Sequence, residues 1–243
     1  MSKIPLSTIG LIMPIDFPSA LYESVHARAV AKKDQHPDSW VQFSGAWNAI
    51  AYRFLSCTEH DTAFTNSISQ TRGDAPPQPE RYFQERDLFG FFFTGLSSIE
   101  CLYYALFAIG SIVDATRFPM GTAQQLRNIS PRSTSQQYNA AFPSEPLSFL
   151  LNQLITSMEF LEWTEIRNIL AHRSSPPRQI FRSIHVSICN APHTSSNSVA
   201  DPSPLWLNGI QLDSTTTSSR RTWLVRTLGD VIQETETFIS THF

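Results

Sequence analysis

Apolar residues recur at three- and four-residue intervals in four long stretches of the chain, a spacing that is typical of amphipathic helices. The stretches cover about residues 38–68, 80–114, 146–175 and the segment that follows the Ser/Thr run 214–219. Asp38 or Ser39 can cap the first helix, and Pro146 lies in the first turn of the third, where proline is favoured. Pro176 and Pro177 end the third helix, because proline removes a helical donor.

The segments between these helices are polar or rich in proline. Residues 1–37 are predicted to be an irregular lead-in with a short helix over 21–33, and residues 116–144 to contain a short helix after Ser133. Polar and apolar residues alternate over 183–188, and 205–212 is a second strand candidate, so residues 178–213 are predicted to hold a small β-hairpin. The pattern predicts a single all-α domain over 1–243: an up-down four-helix bundle with this β-hairpin inserted between the third and fourth long helices.

Composition is that of an ordinary soluble globular protein. Of the 243 residues, 41% are hydrophobic and 16% are charged, and the formal charge is −3. A net charge near zero argues against a uniformly basic nucleic-acid binder, yet it allows a local cationic patch. Fifteen of the 18 basic residues are Arg, whose planar guanidinium suits phosphate or carboxylate.

Three features of the sequence indicate the cellular compartment of the protein: its cysteine spacing, its N-terminus and one long apolar stretch. Cys57, Cys101 and Cys189 form no Cys-x-x-Cys pair, so neither a disulfide framework nor a zinc site is expected. The N-terminus lacks the pattern of a signal peptide, and we expect a cytoplasmic protein. Residues 89–113 contain one charged side chain, Glu100, and could span a membrane by length. Because a central carboxylate is costly in lipid, we predict the buried central helix of a bundle and no membrane association.

The most informative stretch lies at the end of the third predicted helix. Arg167, Asn168 and His172 fall in its last two turns, and Asn168 and His172 share a face because they are four residues apart. Arg167 precedes His172 by five residues, which corresponds to about 140° on an ideal helix. Either the length of the Arg side chain or a loosened last turn is needed for both groups to reach one ligand.

These residue types suit cleavage of RNA without a metal or other cofactor. His172 can exchange protons near neutral pH, Arg167 can hold the scissile phosphate, and Asn168 can orient the imidazole or the phosphate. Arg173 and Arg178 follow in an interval, 166–182, that contains no acidic residue, so we predict that they bind RNA. A purely structural interpretation also exists, since cations near a helix C-terminus interact favourably with the helix dipole by about 0.3–1 kcal/mol.

The segment Arg167-Asn168-Ile169-Leu170-Ala171-His172 resembles the signature of the HEPN superfamily, in which Arg precedes His by four to six intervening residues near a helix end. The resemblance covers roughly residues 38–243 and implies a HEPN-like bundle. It implies a metal-independent endoribonuclease that acts as a homodimer, with Arg167 and His172 catalytic and Asn168 their polar partner. Many such proteins are toxins or antiviral and stress defence effectors, so an antitoxin or another protein partner is possible. Ser174 stands where toxins paired with nucleotidyltransferase antitoxins carry Tyr, so modification of such a Tyr is not expected.

Several alternatives stay open from the residues alone. The domain could be a non-catalytic module that binds RNA, a nucleotide or a protein partner. Glu100 could lie beside Arg167 and orient it, or could emerge at the bundle surface. The run 59–61, Glu-His-Asp, is predicted to be a solvated helix face rather than a metal site. Apolar stripes carry Trp40, Trp47, Trp163 and Trp223, which are predicted to lie in the core or a subunit interface rather than to stack on bases.

Overall fold

The computed structural model describes residues 3–6, 9–70, 77–172 and 215–243. Within these residues, 78% are helical and 4% are in strands, as predicted for an all-α protein. The described part holds eight helices and one two-stranded sheet. Strands β1 and β2 cover Lys3–Leu6 and Leu11–Pro14. Helices α1 to α8 cover Ser19–Val30, Pro37–Gln70, Gln78–Val113, Ala123–Arg127, Pro131–Ala141, Pro146–Thr156, Met158–His172 and Ser218–His242.

Helices α2 and α3 form a long antiparallel pair. Ser39 near the start of α2 bonds Ser111 near the end of α3, with 3.0 Å between their Oγ atoms. Further along α2, the Sγ of Cys57 donates to the Phe91 carbonyl at 3.6 Å. Later residues of α2 therefore contact earlier residues of α3, as in an antiparallel pair. Small residues on α3 allow this approach: a Cβ added at Gly90 would overlap the ring of His60.

Helix α3 is the central helix of the core, and aromatic side chains bind its backbone. Tyr138 on α5 donates its hydroxyl to the Leu106 carbonyl at 2.7 Å, and Trp163 on α7 donates its Nε1–H to the Phe92 carbonyl at 2.8 Å. Tyr103 on α3 donates to a carbonyl of α6 at 2.7 Å.

Helix α3 is long and apolar enough to cross a membrane, and 72% of its most apolar window is buried inside the protein. That degree of burial is typical of the core helix of a bundle.

The third predicted helix is two helices rather than one. Ser157 separates α6 from α7 with an extended ψ of 146°. Its Oγ donates to the Leu154 carbonyl at 2.8 Å and accepts from the Phe160 amide at 3.3 Å, so one hydroxyl bonds both helix ends. The apolar spacing of residues 147–169 conceals the break, because the hydrophobic stripe continues across it. Helix α5 begins at Pro131 behind the N-cap Ser130, close to its predicted place, and α4 had not been predicted.

The N-terminal segment corrects another expectation. Residues 3–6 and 11–14 form an antiparallel hairpin in which Leu6 pairs with Leu11, and Gly10 adopts a left-handed φ of 68° in the turn. The prediction of an irregular lead-in was therefore wrong for these residues, whereas its short helix corresponds to α1. Leu6 and Met13 are fully buried, so packing against the helices holds strands that two prolines would otherwise disfavour. The predicted strands at 183–188 and 205–212, and the insertion 178–213, lie outside the described residues.

Helix α8 closes the described structure. Arg221 in its first turn bonds Asp16 after the hairpin at 2.6 Å and Thr58 on α2 at 3.3 Å. At the far end, Glu236 pairs with Arg28 of α1 at 3.0 Å.

The four tryptophans lie where their apolar stripes predict: Trp47, Trp163 and Trp223 are buried, and Trp40 packs against the core.

Candidate functional site

The three predicted catalytic residues all lie on α7, in its last two turns. Ile166 and Ile169 are buried, and Ile166 packs in the hydrophobic core and holds this end of the helix there. Arg167 and Asn168 lie between them, with Arg167 partly buried and Asn168 exposed. His172 is the final residue of α7, and its side chain lies outside what the structure describes.

Arg167 is held by a carboxylate on the central helix. Its Nη2 donates to Oε1 of Glu100 on α3 at 3.1 Å. The Arg167 side chain is 25% exposed and that of Glu100 is 40% exposed, so the pair lies at the surface of the bundle. Both alternatives for Glu100 are therefore realised, because this carboxylate orients Arg167 and also reaches solvent.

Burial of the Glu100–Arg167 pair disfavours the charged form of the carboxylate more than the guanidinium favours it. Burial raises the pKa of Glu100 above its ordinary value, and the Arg167 guanidinium opposes that rise without cancelling it. The Nε of Arg167 is buried and has no hydrogen-bond partner in the described part of the chain. Because this N–H is buried, a further acceptor such as a phosphate oxygen has to use the part of the Arg167 side chain that is exposed, 25% of it.

The described residues of α7 are not cationic by themselves. This helix carries Glu159, Glu162 and Glu165 against the single cation Arg167. Glu162 is neutralised by an ion pair with Arg220 of α8, whose guanidinium also lies 5.5 Å from the Phe92 ring centroid. The predicted RNA-binding residues Arg173 and Arg178 lie outside the described residues.

A cleft of about 390 Å³ adjoins the Arg167 site through Glu100, which lines both. Its walls come from α2, from α3 and from the turn before α5, and its lining residues are Ala46, Arg53, Ser97, Glu100, Cys101, Tyr104, Ile129, Ser130 and Pro131. Arg53 is exposed and forms no ion pair with any other described residue. Sequence reasoning missed Arg53 and Tyr104, since neither belongs to a motif and their proximity depends on the α2–α3 register.

The run 59–61 is divided between solvent and the core. Glu59 is exposed as predicted, but the Asp61 side chain is only 14% exposed and lies 3.9 Å from Nε of Arg221. The Nδ1 of His60 lies 3.3 Å from Oδ1 of Asp87, a carboxylate that is 5% exposed. These contacts join helices and leave His60 packed against α3. Within the described ranges, no three His, Cys, Asp or Glu side chains converge as a metal site would require.

Comparisons with protein-family models, with curated proteins and with solved structures found no match to this chain.

Proposed function

We propose that this protein is a metal-independent endoribonuclease of the HEPN type. The observation that carries the proposal is the Glu100–Arg167 ion pair, which fixes the motif arginine at the bundle surface within one turn and a half of His172. In the proposed reaction His172 exchanges a proton with the 2′-hydroxyl or the leaving oxygen. Arg167 offsets the charge that develops on the scissile phosphate. Asn168 orients either the imidazole of His172 or this phosphate. Arg173 and Arg178 are proposed to contact the RNA backbone.

The HEPN-like arrangement also includes a homodimer in which two Arg167/His172 sets face one cleft. Two stacked aromatic residues on α3 support this part: Phe89 and Phe93 are each 40% exposed, with ring centroids 5.6 Å apart. Their helical spacing places them on the outer face of α3 that also carries Glu100. A second copy of the chain would bury this apolar pair in an isologous contact beside the site.

Cleavage in the presence of EDTA tests the proposal. Structured RNA should be cleaved by the wild-type protein and at least a hundredfold more slowly by His172→Ala, since general acid–base catalysis supplies about 10²–10⁴-fold. His36→Ala, at the turn between α1 and α2, is the matched control and should retain full activity. Equal cleavage by wild type and His172→Ala, or none at any protein concentration, would contradict the proposal.

The second candidate is a non-catalytic module that binds RNA, a nucleotide or a protein partner. It is favoured by the three carboxylates of α7, which outnumber the single cation of that helix, Arg167. This alternative predicts binding that weakens with salt and leaves no cleavage product. The same EDTA experiment separates the two functions, because only the first yields shortened RNA.

A further inference from the structure

The cleft beside Glu100 has the construction of a ligand site. Its volume of about 390 Å³ falls in the range of small-molecule pockets, which is about 300–1,000 Å³. Such pockets combine apolar walls with a few convergent polar groups. Here Ala46 and Ile129 supply apolar wall, while Arg53, Ser97 and Glu100 supply a cation, a hydroxyl and a carboxylate.

Arg53 gives the cleft an anion-binding end. Its guanidinium has no carboxylate partner among the described residues, so its donors are free of competition there. The first residues of α5 line the same cleft, with Ser130 as N-cap and Pro131 in the first turn. The Ser133 N–H is already bonded by the Ser130 cap and Pro131 has no N–H, so the helix dipole adds only weakly to the attraction that Arg53 exerts on a phosphate.

Another residue of the lining suits a nucleobase. Tyr104 lines the cleft, and its hydroxyl donates to Oε1 of Gln42 at 2.8 Å. An aromatic ring held in this way can stack on a base, which is the sequence-tolerant contact that single-stranded nucleic acids use. Glu100 adds a carboxylate that can accept from the amino group of a base.

We propose that this cleft binds the nucleotide next to the scissile phosphate of a single-stranded RNA. Arg53 contacts its phosphate and Tyr104 stacks on its base. The inference rests on the proposed function for the identity of the ligand, and it adds a binding subsite outside the Arg167/His172 motif. Because Glu100 lines the cleft and also bonds Arg167, a strand in the cleft would lie next to the motif arginine.

Binding measured without cleavage tests the subsite. In a His172→Ala background, fluorescence anisotropy follows a short fluorescein-labelled single-stranded RNA of mixed sequence. Adding Arg53→Ala should weaken binding about fivefold to tenfold and should lower the slope of log K against log salt by about one. Tyr104→Ala should weaken binding at least fivefold, whereas Tyr104→Phe, which keeps the ring, should bind as its parent does. Arg226→Ala on the exposed face of α8 is the matched control and should leave binding unchanged.

The outcomes separate this proposal from the proposed function. If the wild type cleaves RNA while Arg53→Ala and Tyr104→Ala bind as their parent does, the subsite is wrong and the ribonuclease stands. If Arg53 and Tyr104 govern binding but the wild type never cleaves, the subsite stands and the enzyme proposal fails. Absence of RNA binding by the parent protein overturns the subsite, while cleavage by the wild type still decides the enzyme proposal. Circular dichroism of each variant must match the parent, and Arg53→Gln, which removes the charge but keeps a long polar side chain, replaces Arg53→Ala if that variant misfolds.

Discussion

Two arginines with opposite surroundings distinguish the structural and the candidate functional parts of this molecule. Arg221 on α8 is 11% exposed and reaches three partners, with Asp16 at 2.6 Å, Thr58 at 3.3 Å and Asp61 at 3.9 Å. Arg167 on α7 is 25% exposed and, within the part of the chain that the structure describes, has one partner, Glu100, at 3.1 Å. Among the described residues, the first arginine joins the segment after the hairpin to α2 and α8, whereas the second is bonded to α3 alone.

The difference separates a buried arginine that links elements of the fold from a more exposed arginine that is a candidate ligand contact. A desolvated guanidinium needs several acceptors, and those of Arg221 come from separate elements, so the residue is a structural link. Arg167 keeps a buried Nε without a partner among the described residues, which is an incomplete arrangement. One carboxylate oxygen each of Asp16 and Asp61 beside Arg221 is unsatisfied within the described part of the chain as well, so the greater exposure of Arg167, 25% against 11%, is what leaves it open to a ligand.

Removing the structural arginine should have the largest effect on stability. Arg221→Ala would leave the carboxylates of Asp16 and Asp61 without their cation, and we expect the free energy of unfolding to fall by about 3 kcal/mol. Urea denaturation followed by circular dichroism measures this change. Arg226→Ala, five residues further along α8 and exposed, should change stability by less than about 0.5 kcal/mol. If Arg221→Ala is as stable as Arg226→Ala, then Arg221 is not a structural link and does not differ from Arg167 in that respect.

A change in the contact between α3 and α7 should have the next largest effect. A Cβ at Gly95 would overlap the indole of Trp163, one turn before Arg167, so Gly95→Ala should destabilise the protein by about 1–3 kcal/mol. Gly229→Ala on α8, where no atom lies within 4 Å of the added Cβ, should instead stabilise it by up to about 1 kcal/mol. Thermal unfolding of both variants checks the signs. Destabilisation by Gly229→Ala to the same extent would show that Trp163 is not the cause.

Much of the helical architecture could be predicted because period and capping residues are local properties. The register of α2 and α3, by contrast, depends on which small residue of α3 accepts each side chain of α2, as Gly90 accepts His60. The break at Ser157 was missed because a serine can replace backbone hydrogen bonds without interrupting the apolar stripe. The N-terminal hairpin was missed because burial of Leu6 and Met13, rather than local preference, stabilises it.

The candidate site was predictable only in part for the same reason. Arg167, Asn168 and His172 are adjacent in sequence, so their placement on one helix end follows from the helical pattern alone. Glu100 is 67 residues from Arg167, and sequence left its role open between a partner and a surface residue. Arg53 and Tyr104 belong to no motif, and packing alone brings them to one cleft.

Removing the candidate functional arginine should have a small effect on stability and a large one on activity. Arg167→Ala breaks a single, partly exposed ion pair, so the free energy of unfolding should fall by less than about 1 kcal/mol. RNA cleavage should fall by about 10²-fold or more, because the phosphate loses its bidentate donor. Arg167→Lys should recover stability and little activity, since an ammonium lacks the planar fork. A loss of stability as large as that of Arg221→Ala would assign Arg167 a structural role.

The smallest effect on stability is expected for Glu100→Gln, and its sign depends on pH. Burial raises the pKa of Glu100, so the folded protein binds this proton more tightly than the unfolded chain does. Protonated Glu100 therefore favours folding at low pH, and that stability is lost as the pH rises through the folded pKa. At neutral pH, Glu100→Gln should gain stability by less than about 0.5 kcal/mol because water screens a side chain that is 40% exposed, and the gain should vanish near pH 4. Cleavage should fall at the same time, since a neutral amide no longer holds the guanidinium of Arg167. A stability loss at neutral pH would mean that attraction to Arg167 outweighs the cost of burying Glu100, and the pair would then resemble that of Arg221.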